Sequence, residues 1–242
     1  MLSPKNNLLL TKLTTKDKEL AALLQNLQED YQYKIAQIVH EISNPLTLIN
    51  SSLQFIQSQH PEISHFQFWP NIQEDVNHLR LLLIDLSTFN NSDNVNLEKL
   101  YLEEIIASLS TSIDAYTLSS SKKLILQYSH TSCPIMGDAI KLRQILINLI
   151  KNAFEAIKDA GTVTVSLSYS ETHLILSVAD TGIGMNKEQL ENIYTPFSTT
   201  KTNGTGLGLS ITKNIIDAHN GTIKVSSQKN HGTTFKIMLS LC

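Results

Sequence analysis

Leu20, Leu24, Leu27, Tyr31, Ile35, Ile38, Ile42, Leu46, Ile49, Leu53 and Ile56 follow one another at steps of three and four. That spacing places them on one face of a helix and predicts a long amphipathic helix over residues 18 to 58. Pro45 lies inside it, has no backbone N–H to give, and frees the carbonyl near Glu41, so a bend is expected there. Ser58-Gln59-His60-Pro61 ends the helix, and a loop reaches Pro70. His60 and His65 stand in that loop without acid or cysteine partners at ligand spacing. A second helix follows, with Trp69, Ile72, Val76, Leu79, Leu83 and Leu86 forming a heptad seam. One helical hairpin cannot bury both stripes, and Phe55, Leu81, Leu82 and Ile84 widen the apolar surface further. Pairing two copies into a four-helix bundle solves this, so a homodimer is expected.

The polar run Asn90-Asn91-Ser92-Asp93-Asn94 closes the hairpin, and the pattern changes beyond it. Residues 100–118 read as a helix and 123–128 as a strand. Residues 138–158 read as a strong helix closed by Gly161. Alternation at 162–169 and 173–179 predicts one β-hairpin, and at 221–227 and 233–239 another, with a helix over 211–218 between them. The expectation is an α+β chain: a frayed segment at 1–17, a long-helix hairpin at 18–90, and a domain at 95–242 with helices on one face of a mixed sheet.

Composition narrows the classes without choosing among them. A chain of 242 residues has room for one large domain or two small ones. A net charge of −3 gives no footprint for nucleic acid or an anionic membrane surface. Two cysteines, Cys133 and Cys242, make no disulfide framework. No apolar run approaches the roughly 20 residues of a membrane span, and the first residues lack the pattern of a signal peptide. The expected location is the cytoplasm.

The long helix carries the first chemical candidate, His40-Glu41-Ile42-Ser43-Asn44-Pro45. At about 100° per residue, His40 lies nearly opposite the apolar stripe and faces solvent. Asn44 shares its face one turn on, and Glu41 lies beside the imidazole. A zinc site of His-Glu-x-x-His type is the rival reading, but Asn44 stands where the second histidine belongs and an amide is a poor zinc ligand.

The second half concentrates groups suited to phosphate. Asn148 and Asn152 are one turn apart on one helix, with Lys151 beside them and Glu155 one turn from Lys151. Stacked amides offer hard oxygens to Mg²⁺. Asp180-Thr181-Gly182-Ile183-Gly184 follows an apolar strand; Gly182 and Gly184 allow close backbone approach, and Asp180 is able to accept from an exocyclic amine. Thr195-Pro196-Phe197-Ser198-Thr199-Thr200-Lys201 puts hydroxyls and a cation in a loop. Gly204-Thr205-Gly206-Leu207-Gly208-Leu209 opens a helix, whose free N–H groups favour anions. The last run lacks the Gly-Lys-Ser/Thr ending of a P-loop, and its third glycine falls one residue early for a dinucleotide fingerprint.

Together these residues resemble the histidine kinase family of two-component signalling. His40 to Pro45 looks like its H-box, Asn148-Leu149-Ile150-Lys151-Asn152 its N-box, and Asp180-Thr181-Gly182-Ile183-Gly184 its G1 box. Thr195-Pro196-Phe197 is similar to the F-box, the Gly204 run to the G2 box, and Gly232-Thr233-Thr234-Phe235 to the last sheet motif. The resemblance implies a dimeric four-helix bundle followed by an α/β-sandwich Bergerat (GHKL) ATP-binding domain. It implies transfer of the ATP γ-phosphate to His40, with Glu41 as base, and then to an aspartate on a response regulator receiver domain. By the same resemblance Asn152, with Asn148 beside it, would hold Mg²⁺, Asp180 the adenine amine, and Lys151 or Lys201 the phosphates. Thr200, Gly182, Gly184 and Thr233 join the nucleotide site, while Gly204, Thr205, Gly206, Leu207 and Gly208 form its lid. Asn44 matches the family's phosphatase motif.

About 30 residues precede the phosphoacceptor helix, too few for a folded sensing domain. Leu20, Leu24 and Leu27 are therefore expected to continue a coiled coil toward a separate sensor protein. Two other functions remain open at this stage. A phosphorelay adaptor with a decayed nucleotide pocket would not bind ATP, and an ATP-gated machine of the gyrase or Hsp90 type would need no His-Glu-x-x-Asn-Pro helix.

Overall fold

A computed structural model describes residues 18–117, 121–128, 133–201 and 204–242, and the chain divides into two compact units at Asn90 and Asn91. The expected fraying of residues 1–17 lies outside the described residues.

The first unit is a helical hairpin. Helix α1, Lys18–Gln59, is continuous through Pro45; a 3-10 turn, Pro61–His65, leads to α2, Trp69–Asn90, in which Pro70 is the second residue. Around Pro45, hydroxyls take up backbone carbonyls one turn back: Ser43 Oγ donates to the Val39 carbonyl at 2.7 Å, Thr47 to Ser43 at 2.8 Å and Ser51 to Thr47 at 2.9 Å. The hairpin closes on Val39, Leu46 and Leu83, packed by Ile35, Val76 and Leu86. At its open end the Asn90 amide donates to the Gln32 carbonyl at 2.8 Å, and nearer the turn Gln73 donates to Gln57 at 2.7 Å.

The apolar stripe read from the sequence is split. Val39, absent from that stripe, is 8% exposed, while Ile38 and Ile42 remain 53% and 48% exposed. Helix α1 thus presents one apolar edge to α2 and leaves a second open, continued by Ile49, Phe55 and Ile56. The seam of α2 divides in the same way, with Trp69 and Leu83 buried and Ile72 and Leu79 exposed. In the connecting turn, His60 Nδ1 lies 3.1 Å from Glu62 Oε1, a one-to-one contact between exposed side chains.

The second unit begins with β1, Glu98–Leu100, and α3, Leu102–Thr117, followed by β2, Lys122–Tyr128, and β3, Ile135–Gly137. Then come α4, Ala139–Ala156, β4, Gly161–Tyr169, β5, His173–Asp180, and a short α5, Lys187–Glu191. Helix α6, Gly208–Ala218, and strands β6, Thr222–Gln228, and β7, Gly232–Ser240, complete it. The sheet order is β2-β4-β5-β7-β6, parallel between β2 and β4 and antiparallel elsewhere; β1 and β3 make a separate antiparallel pair. Period-2 alternation dictates its inner face. Leu167 lies across from Leu176, Leu176 from Ile237, and Ile237 from Ile223, and all four are buried. Helix α4 covers that face with Leu142, Ile145, Leu146, Leu149, Ala153 and Phe154.

Helix α4 starts where Asp138 caps it. The Asp138 carboxylate accepts from the N–H groups of Ile140 and Lys141 at 3.0 and 3.1 Å and from Asn96 N–H at 3.0 Å. Its own N–H donates to Nε2 of the buried His219 at 2.9 Å, and His219 Nδ1 lies 2.7 Å from the Ile215 carbonyl. The helix ends at Ala156 with Ile157 as an extended C-cap; Gly161 begins β4 and does not close α4, which corrects the sequence expectation. A C-terminal glycine is needed only where the chain turns left-handed, and Ile157, with φ −86°, does not. The β1–β3 pair and α5, which is held by an Asn186–Gln189 capping box, are elements the periodicity did not reveal. Among the described residues, no helix is long and apolar enough to cross a membrane.

Candidate functional site

In the hairpin, burial of Val39 and Leu46 and partial burial of Ser43 turn positions between them outward: His40, Glu41 and Asn44 are all exposed. Glu41 Oε1 accepts from Gln37 Nε2 at 2.9 Å, one turn back on the same helix. The expected acid thus stands next to the imidazole in sequence but is engaged by an amide in this state.

In the second unit the nucleotide candidates form two adjoining groups. The first lies along α4. Asn148 and Asn152 flank its buried stripe and are half-buried. Asn148 Nδ2 donates to Thr212 Oγ1 at 2.9 Å, and that hydroxyl donates to the Gly208 carbonyl at 3.0 Å, tying α4 to the start of α6. Asn152 Nδ2 donates to Asn148 Oδ1 at 3.3 Å, leaving Asn152 Oδ1 to accept from the Lys201 ammonium at 2.8 Å. Lys201 also pairs with Glu155, and Lys151 stands 3.9 Å from the same carboxylate. Of the two amides, Asn148 has both polar atoms engaged by protein, whereas the oxygen of Asn152 faces a cation.

The second group lies at the end of β5. The inner row of that strand runs Leu174, Leu176, Val178 and then Asp180, so a carboxylate occupies the next core-facing position. Its register neighbours are Val163 on β4 and Thr233 on β7. Asp180 Oδ1 accepts from Gly182 N–H at 2.8 Å. Burial pushes the Asp180 carboxyl above the usual carboxylate range, against the opposing pull of the Gly182 and Thr233 N–H groups.

The Gly182–Gly184 turn is held through its backbone, with the Ile183 side chain exposed. Ile183 N–H donates to the Ala156 carbonyl at 3.0 Å, one turn beyond Asn152 on α4, which makes the two groups neighbours. Gly184 has φ +61° and Gly232 φ +88°, and a side chain at Gly232 would run into the Asp180 carbonyl. Ser227 fastens the outer side. Its Oγ accepts from Met185 N–H at 2.8 Å, donates to the Gly232 carbonyl at 3.0 Å, and lies 2.9 Å from Thr233 Oγ1.

The loop between α5 and α6 folds back on itself. Phe197 takes φ +64° and donates its N–H to the Gly206 carbonyl at 3.0 Å, and Gly206, at φ +68°, approaches too closely to carry a side chain. Leu207 is fully buried at the N-cap of α6, anchoring the loop. Thr205 Oγ1 lies 3.4 Å from Leu207 N, and Gly204 N–H donates to the Lys201 carbonyl at 3.3 Å. Thr200 is exposed. Burial, with the Asp217 charge adding, pushes the Tyr194 phenol up to about 12. Sequence reasoning missed Thr212, Ser227 and the Glu155–Lys201 pair. Each acts across a distance in sequence that periodicity does not register.

The half-buried carboxylate at a strand end, the glycine turn after it and the paired asparagines of the covering helix all lie in the second unit. Residues 137–242 match the family described as histidine kinase-, DNA gyrase B- and HSP90-like ATPase. Sporulation kinase C of Bacillus subtilis (strain 168) is 34% identical over 207 residues, which is 85% of this chain and 48% of that protein. The solved catalytic domain of the histidine kinase ThkA is 30% identical with a TM-score of 0.55, over 60% of this chain and 95% of that one. Full-length ShkA, crystallised with AMPPNP, shares the fold at a TM-score of 0.74 and 22% identity, over 87% of this chain and 46% of that one. The chain belongs to the sensor histidine kinase family. It spans about a third to a half of the length of the curated relatives it matches.

Proposed function

We propose that the chain is an ATP-dependent protein-histidine kinase that phosphorylates its own His40 and passes the phosphoryl group to an aspartate of a response regulator receiver domain. In this reading residues 18–90 are the dimerisation and phosphotransfer part and residues 95–242 the catalytic part. The observation that carries it is Asp180: a carboxylate kept half-buried at the end of an apolar strand, under glycine turns, in a chain whose long helix turns His40 to solvent.

Asp180 Oδ2 would accept from the adenine amine while Oδ1 stays on Gly182 N–H. Lys201 or Lys151 would meet the phosphates, with Thr200 beside it and the Gly204–Gly208 run as lid. The fit of Asn152 to a metal rests on its Oδ1, which already accepts a cationic group, Lys201. Asn152 would hold Mg²⁺, with Asn148 orienting it from behind; a bound Mg²⁺ neutralises phosphate charge. At the acceptor, Glu41 would leave Gln37 for the Nδ1–H of His40, fixing the tautomer in which Nε2 is the nucleophile. Positioning supplies most of the rate in phosphoryl transfer, which fits a site with few titratable side chains. The open apolar edges of α1 and α2 would pair two copies into a four-helix bundle, and residues 18–31 would continue toward a separate sensor.

The test is incubation of the full chain with γ-labelled ATP and Mg²⁺, comparing wild type with His40→Gln. Acid-labile, alkali-stable label present in the wild type and absent from the variant is the expected result. Label retained by His40→Gln would overturn the assignment.

A further inference from the structure

The polar cluster on the outer face of α4 contains a cation of its own. Lys201 Nζ is 2.8 Å from Asn152 Oδ1 and is paired with the Glu155 carboxylate, 49 and 46 residues away in sequence. Its backbone is committed to the loop: Lys201 N–H donates to Thr199 Oγ1 at 3.1 Å and its carbonyl accepts from Gly204 N–H at 3.3 Å. An ammonium 2.8 Å from the Asn152 oxygen and a magnesium ion at about 2.0–2.1 Å from the same oxygen would repel each other strongly, so the two compete for it. Nor is Lys201 free to neutralise a phosphate while Glu155 neutralises Lys201.

We propose that Lys201 and Glu155 form an exchange latch: without nucleotide the Lys201 ammonium occupies the Asn152 oxygen, and metal–nucleotide binding requires Lys201 to leave both Asn152 and Glu155 for phosphate. This rests on the nucleotide reading above and adds to it a role for Glu155, which competes with the ligand for Lys201. The exchange is a matter of electrostatics alone. No bond is made or broken, and one carboxylate partner of a partly exposed lysine is replaced by a doubly charged phosphate group, while the vacated amide oxygen becomes available to the metal. Lys151, 3.9 Å from Glu155, remains as the carboxylate's partner after Lys201 leaves.

The experiment is calorimetric titration of ADP into the full-length chain with Mg²⁺, for wild type, Glu155→Gln, Lys201→Met and the double variant, with thermal melts to verify folding. Glu155→Gln should bind threefold to tenfold more tightly than wild type, Lys201→Met about tenfold more weakly, and the double variant no more tightly than Lys201→Met. If wild type binds and Glu155→Gln is unchanged or weaker, or if the double variant keeps the gain, the latch is overturned and the nucleotide reading stands. If wild type gives no binding heat, the nucleotide reading falls and the latch falls with it.

Discussion

The amide of Asn148 lies where a side chain on Gly208 would have to go: a Cβ built on Gly208 would stand 3.0 Å from Asn148 Cγ and closer still to its Oδ1. Two helices, α4 and α6, thereby meet at a glycine, and the same asparagine bonds Thr212 one turn further along α6. Gly208 has no positive φ, so alanine suits its backbone and only the contact opposes it. Gly208→Ala should lower stability by about 1–3 kcal/mol. Pairing it with Asn148→Ala should recover part of that loss, because the clashing group is removed. Denaturant melts of the four members of the cycle measure the coupling.

Asp180→Asn should separate stability from binding. Burial raises the Asp180 carboxyl, so its charged form costs more in the folded state than in the unfolded chain. A group with a raised folded value contributes stability below its unfolded value, and that contribution is lost as pH rises through the folded value. At pH 7 the native chain therefore carries a half-buried charge at a cost, and the asparagine variant should melt no lower than wild type. Loss of a hydrogen bond to a charged group, about 1.5–3 kcal/mol, should still weaken adenine nucleotide binding at least tenfold, as read by calorimetry.

The Asp138 cap has the opposite sign. Burial would raise its carboxyl, but the N–H groups of Asn96, Lys141 and Ile140, with the charge of Lys141, hold it below the usual value. Its stabilisation is present above the unfolded value, about 3.9, and is lost as pH falls through the folded value. Asp138→Ala should cost about 0.5–2 kcal/mol at pH 7. The gap between variant and wild type should shrink when unfolding is measured below pH 4 on that scale.

Placing charge on the open apolar edge of α1 should disrupt pairing of the hairpin. Ile42 and Ile49 are 48% and 50% exposed, so neither is required for the fold of the single chain. Ile42→Asp with Ile49→Asp should leave helicity unchanged by circular dichroism and shift the chain from dimer to monomer in sedimentation equilibrium.

Asn44 shares the exposed face of His40 and has no part in the hairpin core. Asn44→Ala should leave autophosphorylation of His40 within about twofold while slowing dephosphorylation of the partner regulator at least tenfold, a factor worth about 1.4 kcal/mol. Unchanged dephosphorylation would remove Asn44 from that role.

Much of this chain is written locally. Steps of three and four along residues 20–56, alternation at 162–169 and 173–179, and the glycine runs at 182–184 and 204–208 each depend on near neighbours. A period reports which side of an element is apolar whatever the element packs against. The Asp-x-Gly-x-Gly and Asn-x-x-x-Asn spacings are legible for the same reason, since close backbone approach and stacked amides are properties of a turn and of one helix face.

What the tertiary structure alone decided is partnership. The stripe of α1 could not say that Val39 would face α2 while Ile38 and Ile42 stayed open, because both edges are apolar and only the crossing of the second helix selects between them. Gly161 resembled a helix stop until β4 claimed it as a first residue through pairing with Lys122. The Lys201 contact with Asn152 and Glu155 joins a loop to a helix across more than forty residues of intervening sequence. Periodicity carries no information about such pairs. They exist because a sheet in a particular strand order brings distant backbones within hydrogen-bonding reach, and that order is set by burial of the whole inner face at once.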